Sequence, residues 1–202
     1  MTISGLVLAA GQGRRMGVPK ALLHTDGETW ANRAVRLLLD GGCHDVLVVT
    51  GAAHEEVEEG LPEDDRVSSV HAPRWDEGMG ESLRTGLDVL LHGSSSEAAL
   101  VTLVDLPDLE VPVVERVLER WAEGGEGHQA LLRATYDGRP GHPVLLGRAH
   151  WRRLLDVVRG DVGAQRYFDL EDDHGPRRNL VEVDCTDLAS GRDVDLPEEM
   201  DT

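Results

Sequence analysis

Near-continuous apolar runs over residues 3–9, 46–49 and 98–104, separated by segments with helical spacing, constrain the fold of this chain more than any other feature. A strand that is apolar along its length has to be covered on both faces, which a meander with one wet face does not provide. Strands are therefore expected at 3–9, Asp45–Thr50, Val67–His71 and 98–104, with helices at 29–40, 53–59, 81–91 and 111–123. Thr29 can cap the first helix, and Gly41 and Gly42 stop it. Leu83, Leu87, Leu90 and Leu91 fall on one side of the third.

In the last third, 130–136 and 143–146 read as a hairpin-like pair that adds antiparallel strands at one edge. Helices at 149–158 and 162–170 and a strand at 179–183 follow. No repeat or linker divides the chain. These features predict a three-layer α/β/α fold around a mostly parallel, mixed sheet, as one domain over residues 1–202. In such sheets ligands sit beyond the carboxyl ends of the strands.

The loop after the first strand, from Leu8 to Lys20, reads L-A-A-G-Q-G-R-R-M-G-V-P-K. It carries three glycines and three cations, Arg14, Arg15 and Lys20, and Lys20 is the only lysine in the chain. Backbone N–H groups of such a loop can approach phosphate oxygens, and a compact ammonium can sit beside them. Asp105 ends the apolar run 98–104, so it shares the carboxyl rim with that loop. The formal net charge of -18 argues against nonspecific binding to nucleic acid or an anionic membrane. A polyanionic ligand would need this local cationic patch and a divalent metal. Cys43 and Cys185 suggest neither a disulfide framework nor a zinc site. With no basic leader and no run long enough to cross a bilayer, a cytoplasmic protein is expected.

Two familiar phosphate loops do not fit. A Walker A loop needs Gly-Lys followed by Ser or Thr, whereas Val18 and Pro19 separate Gly17 from Lys20, and Ala21 follows. The dinucleotide fingerprint needs a third glycine where Met16 stands, and an acidic residue ending a second strand that here ends in Thr50 and Gly51.

The pattern L-A-A-G-x-G-x-R-M-G-x-P-K resembles the signature of the MobA-like NTP transferases, and within them the molybdenum cofactor cytidylyltransferase branch. The resemblance continues through 75–83, 104–107, 138–143, 160–164 and 193–197. It implies the nucleotide-diphospho-sugar transferase type of fold and transfer of CMP from CTP to a molybdopterin-type cofactor. By this resemblance Leu8, Ala9, Ala10 and Gly11 line base and ribose, while Gly13, Arg14, Arg15 and Lys20 hold the triphosphate. Gly78, Met79 and Ser82 complete the nucleotide pocket. Asp105 and Asp195 bind Mg²⁺, and His142 and Asp161 face the acceptor. Lys20, Arg15 and Asp105 are the residues expected to carry catalysis.

Nucleotidyl transfer of this kind rests on positioning and charge neutralisation rather than on a strong base. The implied partners are a nucleoside triphosphate, a phosphorylated acceptor such as molybdopterin, and a molybdoenzyme; nucleic acid and membrane are not implied. One departure is Ala72 before Pro73, where many relatives have asparagine. The alternatives are guanylyl transfer, transfer to another phosphorylated small molecule, an NAD(P)H-dependent oxidoreductase of the nicotine blue oxidoreductase type, and a non-catalytic nucleotide-binding cofactor chaperone.

Overall fold

The computed structural model describes residues 2–161, 163–169 and 179–194. In chain order the elements are β1 (Ile3–Leu8), the short pair β2 (His24–Thr25) and β3 (Glu28–Thr29), α1 (Trp30–Asp40), β4 (Asp45–Thr50) and α2 (His54–Glu59). Then come β5 (Val67–His71), α3 (Met79–Gly93), β6 (Ala98–Leu103), α4 (Val111–Gly124), β7 (Leu131–Tyr136), β8 (Arg139–Gly147), α5 (Arg148–Val157), α6 (Gln165–Phe168) and β9 (Leu180–Asp184). Seven strands form one sheet in the order β5-β4-β1-β6-β8-β7-β9. Pairs β5–β4, β4–β1, β1–β6 and β7–β9 are parallel, whereas β8 runs antiparallel to both β6 and β7.

Alternate residues of each strand serve opposite faces. Val7, Val48, Leu100 and Leu132 pack beneath α1 and α4, against Leu38, Val113, Val117 and Trp121. Leu6, Leu47, Val49, Val101 and Leu146 pack beneath α3 and α5, against Leu83, Leu87, Trp151 and Leu154. Both faces of the central strands are thus buried, as their unbroken apolar runs require. The Thr29 hydroxyl accepts from the Asn32 N–H at 3.2 Å and caps α1, as its position suggested.

The differences from expectation have local causes. Helix α3 starts at Met79, two residues before Glu81. Gly80 weakens the sequence signal there. It is nonetheless helical, because its N–H donates to the Gly160 carbonyl at 2.7 Å and a side chain would strike that same oxygen. The antiparallel strand does not lie at the edge: β8 is inserted between β6 and β7, and β9 forms the border. Strand β8 also begins four residues earlier than expected, despite Pro140 and Pro143. Its partnership with β6 covers only Val144 to Gly147, so Arg139 to Pro143 pair on one side alone. A free strand side is where proline's missing N–H costs nothing. The helix expected over 162–170 is confined, within the described residues, to Gln165–Phe168.

Candidate functional site

The carboxyl ends of β1 and β6 open into a cavity of about 470 Å³. Its floor is the loop after β1. Gly13 takes φ +61°, and a β-carbon there would fall 1.8 Å from the Val18 carbonyl oxygen, so only glycine permits the loop to turn back on itself. The Gly17 N–H then donates to the Gly13 carbonyl at 2.9 Å, closing the loop. Leu8, Ala10, Gly11, Gly13, Arg14, Arg15 and Lys20 all line the cavity. Ala9 does not; it is fully buried, its N–H bonded to the Val49 carbonyl at 2.9 Å. The side-chain period of the strand sends Ala9 to the other face.

The opposite wall is the start of α3. Gly78, with φ +125°, turns the chain into the helix, and no side chain caps it. A β-carbon at Gly78 would lie 2.4–2.6 Å from atoms of Gly160 and Asp161. Gly78, Met79 and Ser82 face the cavity from this wall, together with Asp161. Asp161 therefore belongs with the helix start rather than with His142. The positive end of a 15-residue helix favours an anion in front of it.

Lys20 and Asp105 meet across the cavity. The Lys20 Nζ donates to Asp105 Oδ2 at 2.8 Å, with side chains 14% and 19% exposed. Each is placed by a turn, Lys20 by the 3₁₀ turn Lys20–Leu22 behind Pro19 and Asp105 by the turn after β6. The other carboxylate oxygen, Asp105 Oδ1, is buried and has no hydrogen-bond partner among the described residues. The Asp105 carbonyl accepts from the Val194 N–H at 2.9 Å, which draws the carboxyl-terminal segment to this rim. Asp195 itself lies outside the described residues.

His142 stands next door, in a second cavity of about 170 Å³ that shares Leu8 and Met79 with the first. Because β8 is reversed, residues at its beginning reach the rim that the other strands reach with their ends. Burial holds the His142 imidazole down to about 4, against a smaller upward pull from Asp105. The ring is therefore neutral near pH 7. Nothing in the geometry brings it into the Lys20–Asp105 pair.

Several lining residues were assigned no role from the sequence. Trp75 stacks close to Gly51 and Ala10, where a β-carbon on Gly51 would touch its ring at 2.6 Å. Gln12 receives the Arg14 Nε–H at 3.1 Å. Glu81, which lines neither cavity, is buried in the first turn of α3 and paired with Arg74 Nη2 at 2.5 Å. Arg133 lines the second cavity; a lone cation inside the apolar run 130–136 was the available signal. Ala72, at the departure from the family pattern, is fully buried, and its side chain offers only packing where asparagine would offer a polar group.

Residues 5–176 match the family description "MobA-like NTP transferase domain". The chain belongs to this family. It is an enzyme of the nucleotidyltransferase class, with relatives among molybdenum cofactor cytidylyl- and guanylyltransferases. It is 35% identical to nicotine blue oxidoreductase of Paenarthrobacter nicotinovorans, over 98% of this chain and 94% of that protein. It is 24% identical to molybdenum cofactor cytidylyltransferase of Escherichia coli K12, over 99% of this chain and 94% of that one.

Among solved structures, Rv0371c of Mycobacterium tuberculosis H37Rv superimposes with a TM-score of 0.77 at 24% identity, covering 100% of this chain and 96% of that one. Rv0371c has also been crystallised with manganese. A nucleotidyl transferase from Methanothermobacter thermautotroptrophicus gives 0.75 at 24% identity, covering 98% and 94%. These likenesses establish the nucleotidyltransferase fold. No helix among the described residues is long and apolar enough to cross a membrane.

Proposed function

We propose that residues 1–202 form a single, cytoplasmic nucleotidyltransferase domain that moves CMP from CTP onto the phosphate of a molybdopterin-type cofactor. The observation that carries this reading is the Lys20–Asp105 pair, set between the glycine loop and the open start of α3 in one cavity. The loop, the helix start and three cations surround a space suited to a triphosphate, in a chain whose net charge of -18 would otherwise repel one.

In the reaction an acceptor phosphate oxygen forms a bond to the α-phosphorus, the bond from that phosphorus to the bridging oxygen breaks, and pyrophosphate leaves. The attacking oxygen is already anionic, so no residue has to remove a proton from it. Arg15 and Lys20 neutralise the charge that builds on the phosphate oxygens, with Arg14 nearby. Gly13 and Gly78 let backbone N–H groups approach those oxygens. Leu8, Ala10, Gly11 and Trp75 enclose the base and ribose, and Met79 and Ser82 close the far side. His142 contacts the acceptor, while the place of Asp161 beside Gly78 favours a role at the nucleotide instead.

The residues present fit Mg²⁺. Asp105 Oδ1 is a buried, unpartnered carboxylate oxygen, and magnesium takes one or two carboxylates while phosphate and water complete its shell. Asp105 would hold the ion, with Asp195 as the second carboxylate. When bound, it supplies Lewis-acid neutralisation of phosphate oxygens. A molybdoenzyme that receives the product completes the reading.

Pyrophosphate release, measured with each of the four nucleoside triphosphates with and without molybdopterin, tests this. Release with CTP that depends on the acceptor is the expected result, and release with GTP instead would move the chain to guanylyl transfer. Tight CTP binding with no pyrophosphate released from any of the four triphosphates would leave a non-catalytic nucleotide-binding chaperone. The 35% identity to nicotine blue oxidoreductase favours a second reading, NAD(P)H-dependent dye reduction. Met16 in place of a third glycine and Thr50-Gly51 at the end of β4 weigh against a dinucleotide there. Oxidation of NADPH by a dye in the presence of the protein would reverse that judgement.

A further inference from the structure

Asp105 sits in a turn whose own backbone bonds do not fix it. Among the described residues, the turn after β6 closes on itself only beyond Asp105, where the Leu109 N–H donates to the Leu106 carbonyl at 3.2 Å. Leu106 and Leu109 are buried and anchor that far end in the core. What reaches the near end is the segment that follows β9. The Ser190 N–H donates to Asp108 Oδ2 at 2.7 Å and the Val194 N–H to the Asp105 carbonyl at 2.9 Å. The segment therefore holds the turn at two points, one of them Asp105 itself.

This segment is seated on Tyr136, the last residue of β7. Gly191, with φ +64°, lies so close to the ring that a β-carbon there would fall 2.1 Å from Tyr136 Cδ2. Gly141 of β8 approaches the same ring; its β-carbon would fall 2.7 Å from Cδ2 and Cε2. The Tyr136 hydroxyl donates to the His142 carbonyl at 2.7 Å, which fixes the ring at its far end as well. Where the segment begins, the Cys185 N–H donates to the Thr135 carbonyl at 2.9 Å and the Asp137 N–H to Thr186 Oγ1 at 2.8 Å. Leu188 and Ala189 pack against the core but are only partly buried, so apolar packing alone does not set where Gly191 to Val194 lie.

We propose that Tyr136 is a positioning residue: with Gly191 it seats residues 186–194 against the turn after β6 and so aims the Asp105 carboxylate at Lys20. This rests on the nucleotidyl-transfer reading for the statement that the pair acts in turnover. Tyr136 lines neither cavity, so its effect on the chemistry passes through Asp105. A shift of about 1 Å at Asp105 takes its 2.8 Å contact with Lys20 out of hydrogen-bonding range, and a misplacement of that size can cost about 100-fold in rate.

Lys20 is the only lysine, so its ammonium gives a single side-chain signal in nitrogen NMR that reports the pair with Asp105 in the absence of substrate. The test compares this signal, kcat, and CTP affinity by calorimetry in wild type, Tyr136→Phe, Tyr136→Leu and Gly191→Ala. Asp105→Asn supplies the signal of a lost pair. Tyr136→Phe keeps the ring against both glycines and is expected to match wild type in all three readouts. Tyr136→Leu and Gly191→Ala are expected to move the Lys20 signal toward that of Asp105→Asn and to lower kcat at least about tenfold. CTP affinity should stay within about threefold, because Lys20 remains free to meet the phosphates. Should Tyr136→Leu fail to fold, Gly191→Ala, which alters a segment outside the sheet, carries the comparison. An unmoved Lys20 signal in the folded variants would overturn the proposal, whether kcat is lost or only the unfolding midpoint drops. If the signal moves as expected but wild type releases no pyrophosphate from any triphosphate, the placement of Asp105 by Tyr136 stands and the nucleotidyl-transfer reading falls.

Discussion

On the β5-β4-β1-β6 side of the sheet every neighbouring pair is parallel, and the functional groups hang from the loops that follow β1 and β6. On the β8-β7-β9 side one reversed strand delivers His142 from its beginning, and Arg133 projects from the body of β7. The first side makes its cavity from turns, glycines and charges. The second makes its cavity from strand faces and aliphatic packing. Turn-built sites can place many backbone N–H groups around a polyanion, whereas face-built sites offer shape and a few fixed donors. A transferase that joins a triphosphate to a second molecule can use one of each.

The comparison breaks most sharply at Lys20. Lys20→Ala is expected to lower kcat/KM by at least about 100-fold, the scale of losing one preorganised charge-stabilising group. Lys20→Arg is expected to recover little, because a forked guanidinium does not replace a point charge. Removing Lys20 also leaves Asp105 half-buried without its 2.8 Å partner, so lost stability contributes to the effect. The double variant Lys20→Met with Asp105→Asn separates the two effects. Its unfolding midpoint should return toward wild type while turnover stays absent. Recovered turnover in the double variant would remove both residues from the chemistry.

Gly13→Ala tests whether the turn-built half depends on backbone shape. The added carbon would sit 1.8 Å from the Val18 carbonyl oxygen at a φ of +61°. The loop must open, and we expect CTP affinity to fall tenfold or more while molybdopterin binding in the face-built cavity is kept. Equal loss of both ligands would show that the two cavities are not separable.

How legible each half was follows the same division. Ile3–Leu8, Asp45–Thr50 and Ala98–Leu103 announced themselves because buried parallel strands are apolar without alternation. The loop from Leu8 to Lys20 was legible because glycines and a unique lysine follow a strand. Strand β8 was read too short and β9 was not expected to take the border, since prolines mask the former and only pairing reveals the latter. Arg133 was missed for a related reason: its buried setting is made by Gln165, Phe168 and Glu182, which lie 32 to 49 residues away in sequence. Ala9 shows the converse, a motif residue that the strand period turns away from the cavity.

His142 sharpens the comparison through pH. Its usual value of 6.5 falls to about 4 in the fold, chiefly by burial. Between those values the unfolded chain binds a proton that the folded chain refuses. The stability tied to this group is therefore complete above pH 6.5 and is lost progressively as pH falls toward 4. A full shift corresponds to ~1.4 kcal/mol per pH unit, and partial access to solvent reduces that to about 1. Denaturant unfolding of wild type and His142→Gln at pH 7, 6 and 5 gives the difference, in which the other titrating side chains cancel. A pH-independent difference would mean the ring is solvated and the second cavity is wet.

The smallest effect is expected at the start of α1, in the parallel half. Thr29 caps α1 through a 3.2 Å bond to the Asn32 N–H, and Thr29→Ala should cost about 1 kcal/mol. The helix start has other ties, since the Trp30 indole donates to Thr25 Oγ1 at 2.9 Å and the Trp30 N–H to the Leu23 carbonyl at 2.8 Å. That last bond leads straight to the turn Lys20–Leu22, one residue before Leu23. If the cap only supports α1, the unfolding midpoint drops by a few degrees and kcat/KM is unchanged. If instead the cap holds the turn that aims Lys20, turnover falls together with stability. A loss of more than about threefold in turnover at a temperature where the variant is fully folded would then make α1 part of the nucleotide site, because about 0.6 kcal/mol of barrier already gives that factor.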